Sequence, residues 1–358
     1  MGGFGWAVKQ VSRCFADDPT LGVDVVILMA ESPQSEFAAH KLHGSPVVYV
    51  SDDPKAQTER LKAIDLLLSI DFRRSYRSFI EQLPSVPLII WARDPWDRDD
   101  HREVASLKIP GKENEKPQAM LSKTTQLAVQ GWMKPPLFAS TADFIAKKIP
   151  DAYGVRPKAV HFLPNIIKPM EGIKKSDTPT IVWLARLDPI KRPWILMDLA
   201  QHFPRVEFLI IGQAHFSGPG SWSPENVPPN VRLLGHVDGP RKKKLLASAW
   251  LLINTSIHEG LSVSFLEALA CEVPIIACVD PEQIVSRYGI FVGKYSGAGL
   301  TSVAAFSRAV SELLSNSNRR CELGASGRAW VRRTHSRARF LAGFFRLTTL
   351  TGLNVPKN

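Results

Sequence analysis

Short, nearly continuous apolar runs rich in β-branched residues recur along the chain, separated by stretches with helical spacing. In the first half they occupy 23–30, 45–51, 64–70, 87–92, 136–140 and 159–164. In the second half they occupy 180–185, 206–212, 231–237, 250–256, 274–280 and 289–293. Runs apolar on both faces and alternating with helices predict parallel strands covered on either side. The pattern occurs twice, which predicts an α/β chain of two doubly wound, Rossmann-like domains facing a cleft. The expected boundaries are 1–168 for the first domain and 169–335 for the second, because 164–179 is rich in Pro, Lys and Gly and lacks periodicity. From Ser336 onward, Phe340, Phe344, Phe345 and Leu347 follow helical spacing, so 336–358 is expected to cross back to the first domain as a helix. Two irregular stretches stand out. The one at 213–230 is a Pro/Gly/Ser loop, and the one at 93–135 is too long for an ordinary connection and is expected to line a cleft.

Composition narrows the class. At 358 residues and 44% hydrophobic, the chain can bury two cores and is not of the disordered type. No apolar run approaches the ~18 residues that span a bilayer, and the start, MGGFGWAVKQ, lacks the pattern of a signal peptide. Four scattered cysteines without a CxxC fit reduced thiols rather than a disulfide or zinc framework. A cytoplasmic protein is expected. The net charge of +11 is uneven: residues 1–170 hold 22 Lys/Arg against 20 Asp/Glu, residues 171–358 hold 23 against 14. The second half therefore carries a field that concentrates anions.

In open parallel sheets ligands bind beyond the carboxyl ends of the strands, so residues just after the runs matter most. Arg186 and Lys191 leave the run at 180–185. A forked guanidinium and a compact ammonium together suit a diphosphate; a solvated basic loop is the alternative. After the run at 250–256 comes HEGLSVSFLEALA (258–270). Small residues at 260–264 open a helix whose first N–H groups point outward, an anion site. Glu267 reads structurally as the end of a capping box, Ser264-x-x-Glu267. Glu259, in the loop before the helix, has no such explanation, and a carboxylate there needs a partner.

These motifs resemble those of retaining glycosyltransferase family 4, a GT-B fold. EGLSVSFLEALACEVPII resembles its E-x₇-E signature and ARLDPIK its R-x₄-K phosphate motif, while NVRLLGHV, FLPN and FASTADF fall in the family's order. The resemblance covers nearly the whole chain and is most specific between Thr180 and Val292. It implies that Arg186 and Lys191 hold the diphosphate of a nucleotide-sugar donor. It implies backbone N–H contacts to phosphate at Leu261, Ser262, Val263 and Ser264, next to Gly260. Glu267 would take the ribose hydroxyls and Glu259 those of the transferred sugar. The turn at Gly235, His236 and Val237 would meet the base.

Three positions depart from the family. Ser262 stands where glycine is usual; serine has less backbone freedom. The family's glycine loop, matched by Gly2 and Gly3, normally follows a first strand, and nothing precedes it here. A truncated or misplaced start is expected, leaving ladder groups unpaired. Arg93-Asp94 stands where the family carries His-Asp. Arg93 cannot act as a base; it would neutralise the leaving phosphate, bind an anionic acceptor, or form a surface pair with Asp94 or Asp97 of little energetic value. Asp97-Arg98-Asp99 has the D-x-D spacing of a metal site but reads as a charged loop outside the donor half.

The implied reaction moves a sugar, with retention, from a nucleoside diphosphate to an acceptor hydroxyl on a glycan, polysaccharide or lipid-linked acceptor. Arg186, Lys191 and the helix start would stabilise the departing diphosphate, so no cofactor and no metal is expected. The glutamates are not the carboxylate pair of a retaining hydrolase. Two alternatives stay open: a degenerate, non-catalytic nucleotide-sugar binder, and a GT-B epimerase or phosphorylase. Arg73, Arg74 and Arg77 with Tyr76 and Phe79 could form one helical face for peripheral membrane contact. The basic runs 241–244 and 73–77 come without any nucleic-acid readout motif, so no nucleic acid is expected as partner. Base, sugar, acceptor and oligomeric state are not written in these motifs.

Overall fold

The structure is a computed structural model describing residues 3–29, 41–49, 61–72, 76, 83–116 and 135–353. It resolves into two compact units. The first comprises 1–95, 124–166 and 335–358, the second 96–123 and 167–334.

The first unit opens with helix α1 (Gly3–Ala16), so Gly3 starts a helix rather than sitting in a loop, and Gly2 lies outside the described residues. Strands β1 (Ile27–Met29), β2 (Lys41–Leu42) and β3 (Ser45–Tyr49) form a three-stranded sheet in the order β1-β3-β2. Strands β4 (Leu67–Ile70), β5 (Leu88–Ala92), β6 (Leu137–Ser140) and β7 (Val160–Phe162) form a second, all-parallel sheet in sequence order. Among the described residues β1 and β4 each pair on one side only.

The core of this unit gathers around β5. Every residue of Leu88–Ala92 is buried, and Trp91 Nε1 donates to the Leu163 carbonyl at 2.8 Å. Ala7, Val11, Cys14 and Phe15 bury one stripe of α1. The C-terminal helix, which Ser336 caps by accepting from the Arg339 N–H, adds Phe340, Phe344 and Leu347 at intervals of four and three. Ring centroids lie 5.0 Å apart for Phe15–Phe344 and 5.7 Å for Trp91–Phe340. Each such aromatic buried is worth about 1.5–3 kcal/mol.

His335, just before that helix, is buried and its Nδ1 accepts from the Asn165 N–H at 3.2 Å. Burial, and then the Arg93 charge, push its pKa down to about 3. An unfolded histidine titrates near ~6.5. Below that pH the unfolded chain binds a proton that the native state refuses, so stability falls as pH drops from about 6.5 toward 3. We expect His335→Asn to flatten this part of the melting temperature against pH curve. A curve with unchanged slope would remove His335 as its cause.

The second unit is a six-stranded parallel sheet. Its strands are β8 (Thr180–Leu184), β9 (Glu207–Ile211), β10 (Val231–Leu233), β11 (Leu251–Asn254), β12 (Ile275–Ala277) and β13 (Gly289–Phe291), in the order β10-β9-β8-β11-β12-β13. The chain order reverses between β8 and β11, which makes their exits the topological switch point where ligands bind. At the neighbouring exit, Gly212 has φ +147°, and a Cβ there would lie 1.8 Å from the Ala185 carbonyl. Only glycine lets β8 and β9 approach so closely where the Arg186 loop begins.

One segment departs from the expected division. Trp96–Lys123, expected in the first domain, belongs to the second unit. Helix α2 (Arg98–Ala105) starts at Asp97, whose carboxylate accepts from the Asp99 and Asp100 N–H groups while Asp100 answers the Asp97 N–H, a complete capping box. The Asp97-Arg98-Asp99 triplet is thus a helix start and not a solvated loop. Trp96, Val104, Leu107 and Ile109 are buried in the second unit's core beside Trp183, Trp194 and Ile257. Lys112 donates to the Ser221 carbonyl at 3.2 Å and Glu115 accepts from the Gly220 N–H, tying this segment to the 213–230 loop.

Later helices cover the sheets. In the first unit α3 (Asp143–Tyr153) buries Ile145, Ile149 and Tyr153 at intervals of four. In the second, α4 (Pro193–Gln201), α5 (Gly239–Ser248) and α6 (Val263–Ala270) link successive strands. Among the described residues no helix is long and apolar enough to cross a membrane.

Candidate active site

Lys191 and Glu259 leave adjacent parallel strands and meet. Lys191 ends a single 3₁₀ turn, Pro189–Lys191, directly after the Arg186 loop. Its carbonyl accepts from Thr255 Oγ1 at 2.6 Å, and Thr255 Oγ1 in turn accepts from Trp183 Nε1 at 3.0 Å. A buried indole on β8 therefore fixes the loop after β11 against the loop after β8. Lys191 Nζ donates to Glu259 Oε1 at 2.7 Å. The same oxygen accepts from Asn254 Nδ2 at 2.9 Å and Ser256 Oγ at 2.6 Å. Burial would raise the Glu259 pKa, but Lys191, Ser256 and Asn254 together outweigh it and hold it below the ordinary glutamate value. All three donors sit on Oε1, and Oε2 has no partner among the described residues.

Arg186 is half exposed and sits 3.1 Å from Asp188 Oδ2. Asp188 is buried and also accepts the His215 N–H. The arginine is thus steered by one carboxylate while keeping donors turned to solvent.

Helix α6 begins after Ser262, not Ser264. Its first N–H groups lack intrahelical acceptors, as in any helix, and follow directly on Gly260 and Leu261. Ser262 has φ −61°, so the position does not need glycine's freedom, and its hydroxyl lies 2.9 Å from that of Ser264. The expected capping box ending at Glu267 is not formed. Glu267 lies a full turn inside the helix, beyond reach of the cap, and is held by Lys242 Nζ at 2.8 and 3.0 Å. Lys242 lies on α5, in a run that reads from sequence as a solvated basic face. The Gly235 turn forms as expected: Gly235 has φ +64°, and its carbonyl accepts from the Gly212 N–H at 2.8 Å. His236 is exposed and Val237 buried.

Arg93 and Asp94 lie in the first unit, at the exit of β5. Arg93 is not a surface residue. It is buried, its guanidinium stands 4.6 Å over the Trp91 ring, and its backbone N–H donates to Asp71 Oδ1 at 2.8 Å. Burial pulls its pKa down to about 10 against the opposing pull of Asp71 and Asp94. Of the alternatives, the weak surface pair is therefore replaced by a buried cation stacked on an aromatic face. Of the basic face expected at 73–79, only Tyr76 lies within the described residues.

Among the described residues one group has the composition of a metal site: Asp100, Glu103 and His258, with ligand atoms within 4.8 Å of one another. Asp100 Oδ1 lies 3.2 Å from His258 Nδ1, so the carboxylate and imidazole already satisfy each other. Sequence reasoning missed Lys242, Arg192 and this Asp100–His258 contact, since no local pattern marks them.

Residues 178–316 match the family described as glycosyl transferases group 1. A GDP-mannose-dependent monoacylated alpha-(1-6)-phosphatidylinositol monomannoside mannosyltransferase of Corynebacterium glutamicum is 29% identical over 168 residues, 43% of this chain and 42% of that protein. A human phosphatidylinositol N-acetylglucosaminyltransferase component is 26% identical over 137 residues, 34% of this chain and 28% of that protein. The matched stretches thus span less than half the length of these curated relatives. Among solved structures, Anabaena HepE in complex with UDP-glucose superposes with a TM-score of 0.66 at 13% identity, covering 99% of this chain and 97% of that one. Sucrose-phosphate synthase from Thermosynechococcus elongatus gives 0.68 at 13% identity, covering 98% and 94%. The chain has the GT-B fold, and its residues 178–316 are similar to the glycosyl transferases group 1.

Proposed function

We propose that the chain is a retaining glycosyltransferase that moves a sugar from a nucleoside-diphosphate donor to the hydroxyl of a glycan or lipid-linked acceptor. The observation that carries this reading is Glu259. It is a buried carboxylate at the switch point with one oxygen held by three donors and the other left for a ligand. In this reading Oε2 takes hydroxyls of the transferred sugar. Arg186, Lys191 and the N–H groups opening α6 take the diphosphate, and Glu267 takes the ribose. Lys191 then exchanges part of its contact with Glu259 for phosphate oxygens as the donor enters. Charge builds on the leaving diphosphate in the transition state, where preorganised cations and N–H dipoles act most strongly. The acceptor attacks from the face the diphosphate leaves, with a phosphate oxygen taking its proton. Those cations make a metal unnecessary for this step. The names of both curated relatives carry phosphatidylinositol, which supports a lipid-linked acceptor. A cytoplasmic protein in peripheral contact with a membrane fits such an acceptor.

Calorimetric titration with UDP-, GDP- and ADP-sugars tests the donor assignment, and the anomeric configuration of the product by NMR tests retention. Absence of binding to all three classes would sink the proposal. An epimer formed from donor alone would move the chain to the epimerase class. Co-sedimentation with liposomes that does not respond to anionic lipid would remove the membrane contact.

A further inference from the structure

The loop that carries Glu259 is gripped from two sides by residues outside both signature motifs. On one side stands Arg192. It is 1% exposed and has φ +46°, a left-handed conformation disfavoured for any residue but glycine. Its Nε donates to the Thr255 carbonyl at 2.8 Å, and Nη2 donates to the Ser256 carbonyl at 3.1 Å and meets Cys278 Sγ at 3.0 Å. Its Nη1 donates to the Tyr295 carbonyl at 2.7 Å. Among the described residues it forms no salt bridge with a carboxylate. A buried cation facing only carbonyls and a thiol, on a strained backbone, persists where its surroundings over-determine it. The fit is close: a Cβ at Gly299 would lie 2.5 Å from Arg192 Nη1.

On the other side stands Asp100, on α2. Its Oδ1 faces His258 Nδ1 at 3.2 Å while its Oδ2 accepts the Asp97 N–H. Trp96 meets the His258 ring edge-on at 4.9 Å. Helix α2 is itself anchored in the core through Val104, and Leu107 just beyond its end is buried there too. Thr255, Ser256 and His258 are thus pinned by two independent elements, and Glu259 follows directly.

We propose that Arg192, and Asp100 acting through His258, are positioning residues that hold Glu259 Oε2 where the sugar of the donor binds. This rests on the donor reading above, since it assigns the pinned carboxylate to the sugar. Neither residue touches substrate; each acts on the loop. A loose loop would cost sugar recognition more than diphosphate binding, because Glu259 lies in the loop itself, Lys191 only borders it through Thr255, and Arg186 lies outside the grip.

The test compares UDP with UDP-glucose, and GDP with GDP-mannose, by calorimetry on the full chain. In Arg192→Met and His258→Leu, the ratio of nucleotide-sugar to nucleoside-diphosphate affinity should fall about tenfold relative to wild type, the loss of roughly one charge-assisted hydrogen bond. Affinity for the nucleoside diphosphate alone should stay within about threefold, below the effect of one such bond. His258→Asn, which keeps a donor toward Asp100, should restore the ratio. An unchanged ratio in folded variants overturns the proposal, as does an equal fall in both affinities, which marks general loosening. If Arg192→Met does not fold, the two His258 variants decide it. Wild-type protein that binds nucleoside diphosphates but no nucleotide sugar overturns the donor reading and this proposal together, whereas an unchanged ratio overturns this proposal alone.

Discussion

Lys191→Ala is expected to lower sugar transfer by about 10²–10³-fold, the effect of removing one preorganised donor from developing negative charge. Two effects combine. Lys191 stands at the switch point, and its ammonium lies 2.7 Å from Glu259. Removing it takes away transition-state stabilisation and also leaves Glu259 with only Asn254 and Ser256 against its burial. The carboxylate then titrates at higher pH, so the variant should lose activity toward acid sooner than wild type. A double-mutant cycle with Glu259→Gln separates the two effects. If Lys191 acts only by keeping Glu259 ionised, the double variant should be no slower than Glu259→Gln alone. If it meets the diphosphate, the double variant should be slower still. Arg186→Ala should reduce turnover in the same direction, and Lys191→Ala and Arg186→Ala both turning over at the wild-type rate would end the phosphate assignment.

Glu267→Ala is expected to raise the donor Michaelis constant by about 10–100-fold, one or two charge-assisted hydrogen bonds. Its signature differs from that of Glu259. Glu267 is assigned to ribose, so its loss should weaken nucleoside diphosphate and nucleotide sugar alike. Lys242→Met is the companion experiment. The Glu267 side chain is 16% exposed, and losing the two contacts from Lys242 leaves a mostly buried carboxylate without its cation. Breaking such a pair costs about 3–5 kcal/mol when fully buried and less here. A lowered melting temperature with weakened donor binding is expected. Unchanged donor affinity in Glu267→Ala would free this residue from the ribose.

The strands were readable because parallel strands buried on both faces leave unbroken apolar runs. All twelve expected runs contain one, from Ile27–Met29 to Gly289–Phe291, and among the described residues only the two-residue edge at Lys41–Leu42 had no such signal. Arg186, Lys191 and Glu259 stood out because strand exits are where ligands meet a parallel sheet, and the structure does bring Lys191 and Glu259 together there. What stayed hidden depends on partners distant in sequence. Nothing around Arg93 announces that Asp71, from the exit of β4, accepts its backbone N–H and that burial takes it from solvent. Nothing around Lys242 announces Glu267. Ser264-x-x-Glu267 fits a capping box as text, yet the helix starts two residues earlier, at a serine whose backbone is ordinary. The segment 96–116 looks like an irregular insertion, and only tertiary packing of Trp96, Val104, Leu107 and Ile109 reveals where it belongs.

That segment has a consequence for how the polypeptide is made. Neither unit is a continuous stretch: the second needs residues 96–123 as well as 167–334, and the first needs the C-terminal helix as well as its two sheets. During synthesis the strap emerges before the sheet it docks on, so Trp96, Val104, Leu107 and Ile109 stay without their core until β8 to β13 follow. The four-stranded sheet of the first unit likewise waits for Phe340 and Phe344, which follow the whole of the second unit along the chain. Excising 167–334 as an independent donor-binding fragment would remove four core side chains and the partner of His258. A soluble fragment would have to carry the strap, joined back by a linker.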